Sequence, residues 1–179
     1  MPFTSDSIWK LLFLPNKKLN MKKLIIILII SISVFSVSAQ NTPLSEKKVT
    51  NEKMEKEDQD IKDANIVAES WLSDINDKQY KNAFLMLSNE VKVRYKQETW
   101  VSLINALMLE FGGLESRKAS ENKFQSEVEG LEDGFYVLID YTSSYTNTIN
   151  HSEHILLKQN DKIKWEIVDY SYEFQKKEK

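Results

Sequence analysis

The hydrophobic pattern of this chain changes period part-way along, from helical spacing to alternation. Apolar residues three and four positions apart recur through residues 61–75 and again through residues 100–111, where Gly112-Gly113 supplies a stop. A shorter stretch with the same spacing contains Tyr80, Ala83, Phe84 and Leu87. The first half of the chain is therefore predicted to form three helices.

Alternating apolar and polar residues indicate strands in the second half. The alternation is clearest over residues 135–145, after an Asp133-Gly134 turn, and over residues 163–167. Residues 151–159 predict another strand, and residues 116–128 predict a less regular one. Three helices followed by about four antiparallel strands predict an α+β fold, with the helices covering one face of the sheet.

The last hairpin is predicted to have one of two registers. A three-residue loop over residues 160–162 places Leu157 opposite Trp165 and Glu153 opposite Asp169. This register buries more apolar side chains, and we prefer it. It places two carboxylates on the helix-facing side of the sheet, where each needs a hydrogen-bonding partner.

The other register has a two-residue turn at Asn160-Asp161. It pairs Leu156 with Trp165 and turns His154 toward the core.

Three side chains on adjoining strands are candidate partners for the buried carboxylates. They are Arg117, Tyr141 and His151. We take Arg117, Tyr141, Glu153 and Asp169 as the candidate site, either as a pocket or as a charged strut that braces the sheet. His151 and His154 are not expected to share a metal, because their side chains point to opposite faces of one strand. No metal, cofactor or catalytic residue is predicted.

An export signal is predicted over residues 21–39. Met21-Lys22-Lys23 precedes an apolar run of about a dozen residues, and Val37-Ser38-Ala39 matches a small-residue cleavage site. The run is too short for a comfortable membrane span, although an uncleaved anchor is the alternative. Residues 1–20 are then an upstream extension. The mature protein is expected to be periplasmic or secreted.

The composition of residues 40–179 predicts one folded domain between two charged segments. Residues 40–60 are nearly devoid of apolar side chains, which predicts a flexible linker or a frayed helix. Residues 61–174 suffice for a single core, and residues 175–179 form a charged tail.

The net charge and the cysteine content limit the classes of partner and anchor that the mature protein can have. The whole chain has a net charge of −3, and removing residues 1–39 takes away five basic residues and one acid, which leaves −7. A domain of this charge repels phosphate backbones and anionic membranes, so no nucleic-acid partner is expected. The absence of cysteine excludes disulfides and a lipidated cysteine, so no stable membrane anchor is expected after cleavage.

A set of dispersed residues and short stretches runs through the domain, namely Ala64 to Trp71-Leu72, Asp77 to Tyr80, Trp100, Arg117, Asp133-Gly134 with Tyr136, Tyr141, Glu153 and Trp165 to Tyr170. Together they resemble one family, the exported bacterial proteins grouped as domain of unknown function 4019. The resemblance covers residues 61–172 and implies a cone-shaped, nuclear-transport-factor-2-like fold with a curved sheet. The resemblance implies no enzymatic activity or other known function.

Two functions from different classes remain. The first is a non-catalytic exported domain that binds a small ligand or an envelope protein, with a homodimer as a further option. The second is a ketosteroid-isomerase-like or cyclase-like enzyme that uses a pocket carboxylate, Glu153 or Asp169, as a base, with Tyr141 to polarise a carbonyl group. Aromatic residues on the apolar stripes are interpreted as structural, namely Trp71, Tyr80, Trp100, Trp165 and Tyr170.

Overall fold

A computed structural model describes residues 44–178 of the chain, with side chains from residue 51 onward. The upstream extension and the signal peptide, predicted over residues 1–20 and 21–39, lie outside the described residues. Within the described part, no helix is both long and apolar enough to cross a membrane.

The described chain runs through four helices and then four strands, which confirms the α+β class. The helices are α1 (Leu44–Asn76), α2 (Tyr80–Leu85), α3 (Asn89–Arg94) and α4 (Gln97–Phe111). The strands are β1 (Leu114–Gln125), β2 (Tyr136–Tyr145), β3 (Thr148–Gln159) and β4 (Trp165–Lys176). They form one antiparallel sheet in the order β1-β2-β3-β4. The cone shape remains a prediction of the resemblance.

Helix α1 begins earlier than the apolar pattern predicts. It includes residues 44–60, so most of the predicted linker is helical, as in the alternative of a frayed helix. Two residues of this stretch contact the rest of the fold, since Asp60 is buried and the Lys56 ammonium lies 5.3 Å from the centre of the Phe135 ring. Such contacts stabilise helix in a stretch whose composition alone favours disorder.

Helix α3 is absent from the prediction. It is only six residues long, too short to show a helical period. Its local signals are the Ser88 side chain, which accepts a hydrogen bond from the Val91 backbone N–H, and Glu90 in the first turn.

The core lies between the helices and one face of the sheet. Trp71 on α1 meets Tyr170 on β4 edge to face at 5.1 Å between ring centres, and Trp100 on α4 lies 5.7 Å from Phe84. The five aromatic residues interpreted as structural are at most 7% exposed, namely Trp71, Tyr80, Trp100, Trp165 and Tyr170. Burial on this scale favours packing over ligand stacking at these five positions.

The last hairpin has neither of the two predicted registers. The pairing begins with Gln159 opposite Trp165, so five residues separate the paired ends. The Asn160 side chain holds this wider loop by accepting hydrogen bonds from the backbone N–H groups of Lys162 and Lys164, and Ile163 adopts a positive φ of 58°. Side-chain capping of the loop, rather than apolar burial alone, determines the register.

A bulge then changes the parity of β4. Leu157 pairs with Ile167 but Leu156 pairs with Asp169, which leaves Val168 as the extra residue. The predicted pairing of Glu153 with Asp169 is therefore wrong, because the bulge moves Asp169 to the face of the sheet opposite Glu153.

Candidate functional site

All four strands of the sheet contribute to one buried carboxylate, that of Glu153 on β3. The Arg117 guanidinium from β1 donates from Nε to Oε2 at 2.7 Å and from Nη2 to Oε1 at 3.0 Å. Tyr145 on β2 and Tyr170 on β4 donate their hydroxyls to Oε1 at 2.9 and 2.6 Å, and Ser143 on β2 donates to Oε2. We call these five residues the Glu153 network.

Strand geometry explains how these residues meet. Arg117 lies opposite Ser143, and Glu153 lies opposite Tyr141, so the residues project from the helix-facing side of adjacent strands. The bulge in β4 gives Tyr170 the same face. The carboxylate of Glu153 is fully buried, and the Arg117 side chain is 9% exposed.

The electrostatics of the network favour the ionised pair. Burial by itself would raise the pKa of Glu153, but the hydrogen bonds and positive charge of Arg117, with the donors Ser143 and Tyr170, outweigh burial and lower it. Burial would likewise lower the pKa of Arg117, yet hydrogen bonding and attraction to Glu153 raise it. Both residues are therefore charged at neutral pH.

The network is unfavourable for general-base catalysis by Glu153. A carboxylate has about four lone-pair positions, and here its two oxygens accept five hydrogen bonds. A general base needs a free acceptor position and a raised pKa, and Glu153 has neither. The geometry is that of a strut.

The other predicted site residues lie outside this network. The Tyr141 hydroxyl is buried without a hydrogen-bond partner among the described residues, and burial raises its pKa to about 12. His151 bonds Thr148 through Nδ1 at 2.9 Å and lies among aromatic rings. Asp169, on the opposite face, is partly buried, which raises its pKa to about 6.

A second polar pair occupies the outer face of the sheet. His154 Nδ1 lies 2.7 Å from Asp140 Oδ1 across β2 and β3, and both side chains are partly exposed. His151 faces the core instead, so the two histidines lie on opposite faces, as alternation requires. No group of side chains suited to hold a metal occurs within residues 51–178.

A cleft of about 410 Å³ opens between α1 and one end of the sheet. One wall is the α1 face with Lys53, Lys56, Glu57 and Asp60, and the other is formed by Phe124, Gln125, Ser126 and Phe135. The rings of Phe124 and Phe135 stack at 5.7 Å, and Phe135 is 43% exposed. We call this site the α1 cleft.

The α1 cleft was not predicted from the sequence, because its α1 wall falls within the predicted linker. The helical spacing of Lys53, Lys56, Glu57 and Asp60, at steps of three and four, is the signal that could have shown a common face. Ser143 and Tyr145 were likewise missed as Glu153 donors. Their spacing of two on β2 is what places both on the core face.

The comparison with protein families shows which family this chain belongs to. The family described as "Protein of unknown function (DUF4019)" matches residues 67–170. The chain belongs to this family. Searches of curated proteins and of solved structures found no match. The DUF4019 match contains the whole Glu153 network, but only the Phe124 and Phe135 wall of the α1 cleft.

Proposed function

We propose that this chain is an exported, non-catalytic domain that binds a small ligand in the α1 cleft. The observation that carries the proposal is the stacked pair of Phe124 and Phe135, which presents an aromatic surface inside an open cleft. Clefts of a few hundred Å³ that combine aromatic walls with a few polar groups are the usual form of small-molecule sites.

The state of Glu153 supports a non-catalytic role. An isomerase-like or cyclase-like reaction would need a carboxylate of raised pKa with a free oxygen facing a substrate. In the Glu153 network the pKa is lowered, and hydrogen bonds within the protein occupy both oxygens. Of the two carboxylates that could serve the enzyme alternative, Glu153 is thus held in stabilising contacts, and Asp169 lies on the face of the sheet opposite Tyr141.

Export is supported by the basic, apolar and small-residue order of residues 21–39. N-terminal sequencing of secreted or periplasmic material tests it. The sequence should begin at Gln40 or its cyclised form, whereas a mature protein that retains the apolar run would contradict export with cleavage.

Ligand binding is tested by screening small aromatic fragments against the mature protein with NMR chemical-shift mapping. We expect the largest shifts at residues of the α1 cleft, and we expect Phe135→Ala to abolish them. Ile149→Ala is the matched control, because Ile149 is 44% exposed and lies at the opposite end of β3 from Gln159, whose backbone N–H bonds to Phe135. Fragments that bind elsewhere, or bind Phe135→Ala as well as wild type, would contradict the proposed site.

A further inference from the structure

We infer that the α1 cleft selects small primary amines that carry an apolar or aromatic body. This inference rests on the proposed function, since it names the ligand class of the same site. Three features support it, namely a buried carboxylate without a cation, an aromatic ring that already attracts an ammonium group, and a stacked aromatic wall.

The carboxylate is that of Asp60 on α1. Asp60 is 7% exposed although it lines the cleft. Within residues 51–178, its only hydrogen bond comes from Gln159 Nε2 at a long 3.5 Å, and no cation lies within ion-pairing distance of it. A buried carboxylate is costly unless it is paired, so Asp60 gains from a cation that enters the cleft.

The aromatic ring is that of Phe135. The Lys56 ammonium lies 5.3 Å from its centre, within the range of a cation–π contact. Lys56 precedes Asp60 by four residues on the same helix face, yet its ammonium contacts the ring and not the Asp60 carboxylate. The exposed Lys56 side chain therefore occupies a position that a ligand ammonium could take.

The remaining charges of the cleft decide between a cationic and an anionic ligand. Lys53 is 3.8 Å from Glu57, with Lys53 exposed and Glu57 partly exposed, so this pair is weak and solvated. An anion would meet only exposed lysines, whose attraction water screens. A cation would meet Asp60, which is desolvated and interacts more strongly.

The stacked rings of Phe124 and Phe135 select the apolar part of the ligand. Their interplanar angle is 29°, which gives a broad apolar surface. An aryl or alkyl group on this surface, one or two methylenes from an ammonium, fits within the cleft of about 410 Å³.

The test compares three probes of similar shape by isothermal titration calorimetry with the mature protein. The probes are 2-phenylethylamine, neutral 2-phenylethanol and anionic phenylacetate. We expect the amine to bind tightest, and Asp60→Asn to weaken the amine by about fivefold or more while the alcohol changes less than about twofold. Lys56→Met should tighten the amine by about twofold to fivefold, because it frees the ring and removes a competing charge.

The outcomes separate the ligand class from the site. If phenylacetate binds tightest and Lys56→Met abolishes its binding, the amine inference is overturned, while ligand binding in the cleft stands. Equal binding of all three probes would also overturn it. If none of the three gains or loses affinity in Phe135→Ala, the cleft itself is refuted. Phe135 is 43% exposed, so this variant keeps the fold even if Asp60→Asn does not.

Discussion

Arg117 and Glu153 form a two-point ion pair between strands that are not neighbours. Arg117 belongs to β1 and Glu153 to β3, and β2 runs between them. Tyr170 of β4 donates to the same carboxylate, so one side chain is hydrogen-bonded to all the other strands of the sheet. We therefore expect the pair to stabilise the arrangement of the whole sheet rather than one hairpin.

A double-mutant cycle measures this coupling. Glu153→Gln and Arg117→Met should each lower the free energy of unfolding by about 3–5 kcal/mol, because each leaves a buried charge without its partner. The double variant should lose less than the sum by at least about 1 kcal/mol, as expected for residues in contact. Urea unfolding provides the values. Additive losses would show that the two side chains act independently.

Asp169 should make the protein less stable as the pH rises. Its pKa in the folded state is raised from 3.8 to about 6 by burial, so the neutral form is favoured and ionisation between these values costs stability. Asp169→Asn should raise the free energy of unfolding at pH 7 by about 1–2 kcal/mol and change it little at pH 4. The Asp161→Asn variant, on the exposed loop, is the control. A destabilised Asp169→Asn protein at pH 7 would contradict this assignment.

His151 should have the opposite effect, a loss of stability in acid. Burial lowers its pKa in the folded state, with Arg117 acting in the same direction and Glu153 against it. Stability is then complete above the ordinary histidine pKa of about 6.5 and decreases as the pH falls, because the unfolded chain binds the proton more readily. His151→Phe should flatten this decrease in thermal unfolding between pH 7 and pH 5. The same slope in both proteins would exclude His151 as its source.

The sequence predicts the elements of this fold better than their pairing. The apolar period of α4 and the Gly112 stop were predicted correctly, and Gly112 has a φ of 83°. The register of the last hairpin was predicted incorrectly, because it depends on a wider loop capped by Asn160 and on one extra residue, Val168. Neither the loop capping nor the bulge can be read from the alternation of apolar and polar residues. The bulge at Val168 is sufficient to move Asp169 to the face of the sheet opposite Glu153.

Only part of the candidate site was predicted from the sequence. Arg117 and Glu153 are found from the sequence because a buried charge needs an opposite charge nearby, although the pair spans β2 rather than joining neighbouring strands. The α1 cleft is not found, since the polar composition of residues 44–60 predicts a linker and does not show that Lys56 and Asp60 face the sheet.

Trp100 tests the core of the helical layer. It is 3% exposed and its ring lies against Phe84, so Trp100→Ala should lower the free energy of unfolding by about 3–5 kcal/mol by creating a cavity. Leu109→Ala on the same helix is the control, because Leu109 is 67% exposed and should change stability by less than about 0.5 kcal/mol. Equal effects of the two changes on chemical unfolding would refute the burial of Trp100.

The most direct test of the strut is the pKa of Glu153 itself, measured by carbon-13 NMR of its carboxyl group during a pH titration. The account predicts a value below that of an ordinary glutamate, and a higher value when Arg117 is replaced by methionine. Because the folded-state pKa is lowered, the stability that Glu153 contributes is present above its unfolded pKa and is lost in acid. A carboxyl group that titrates near pH 6 or above in the wild-type protein would contradict the strut and favour the general base of the enzyme alternative.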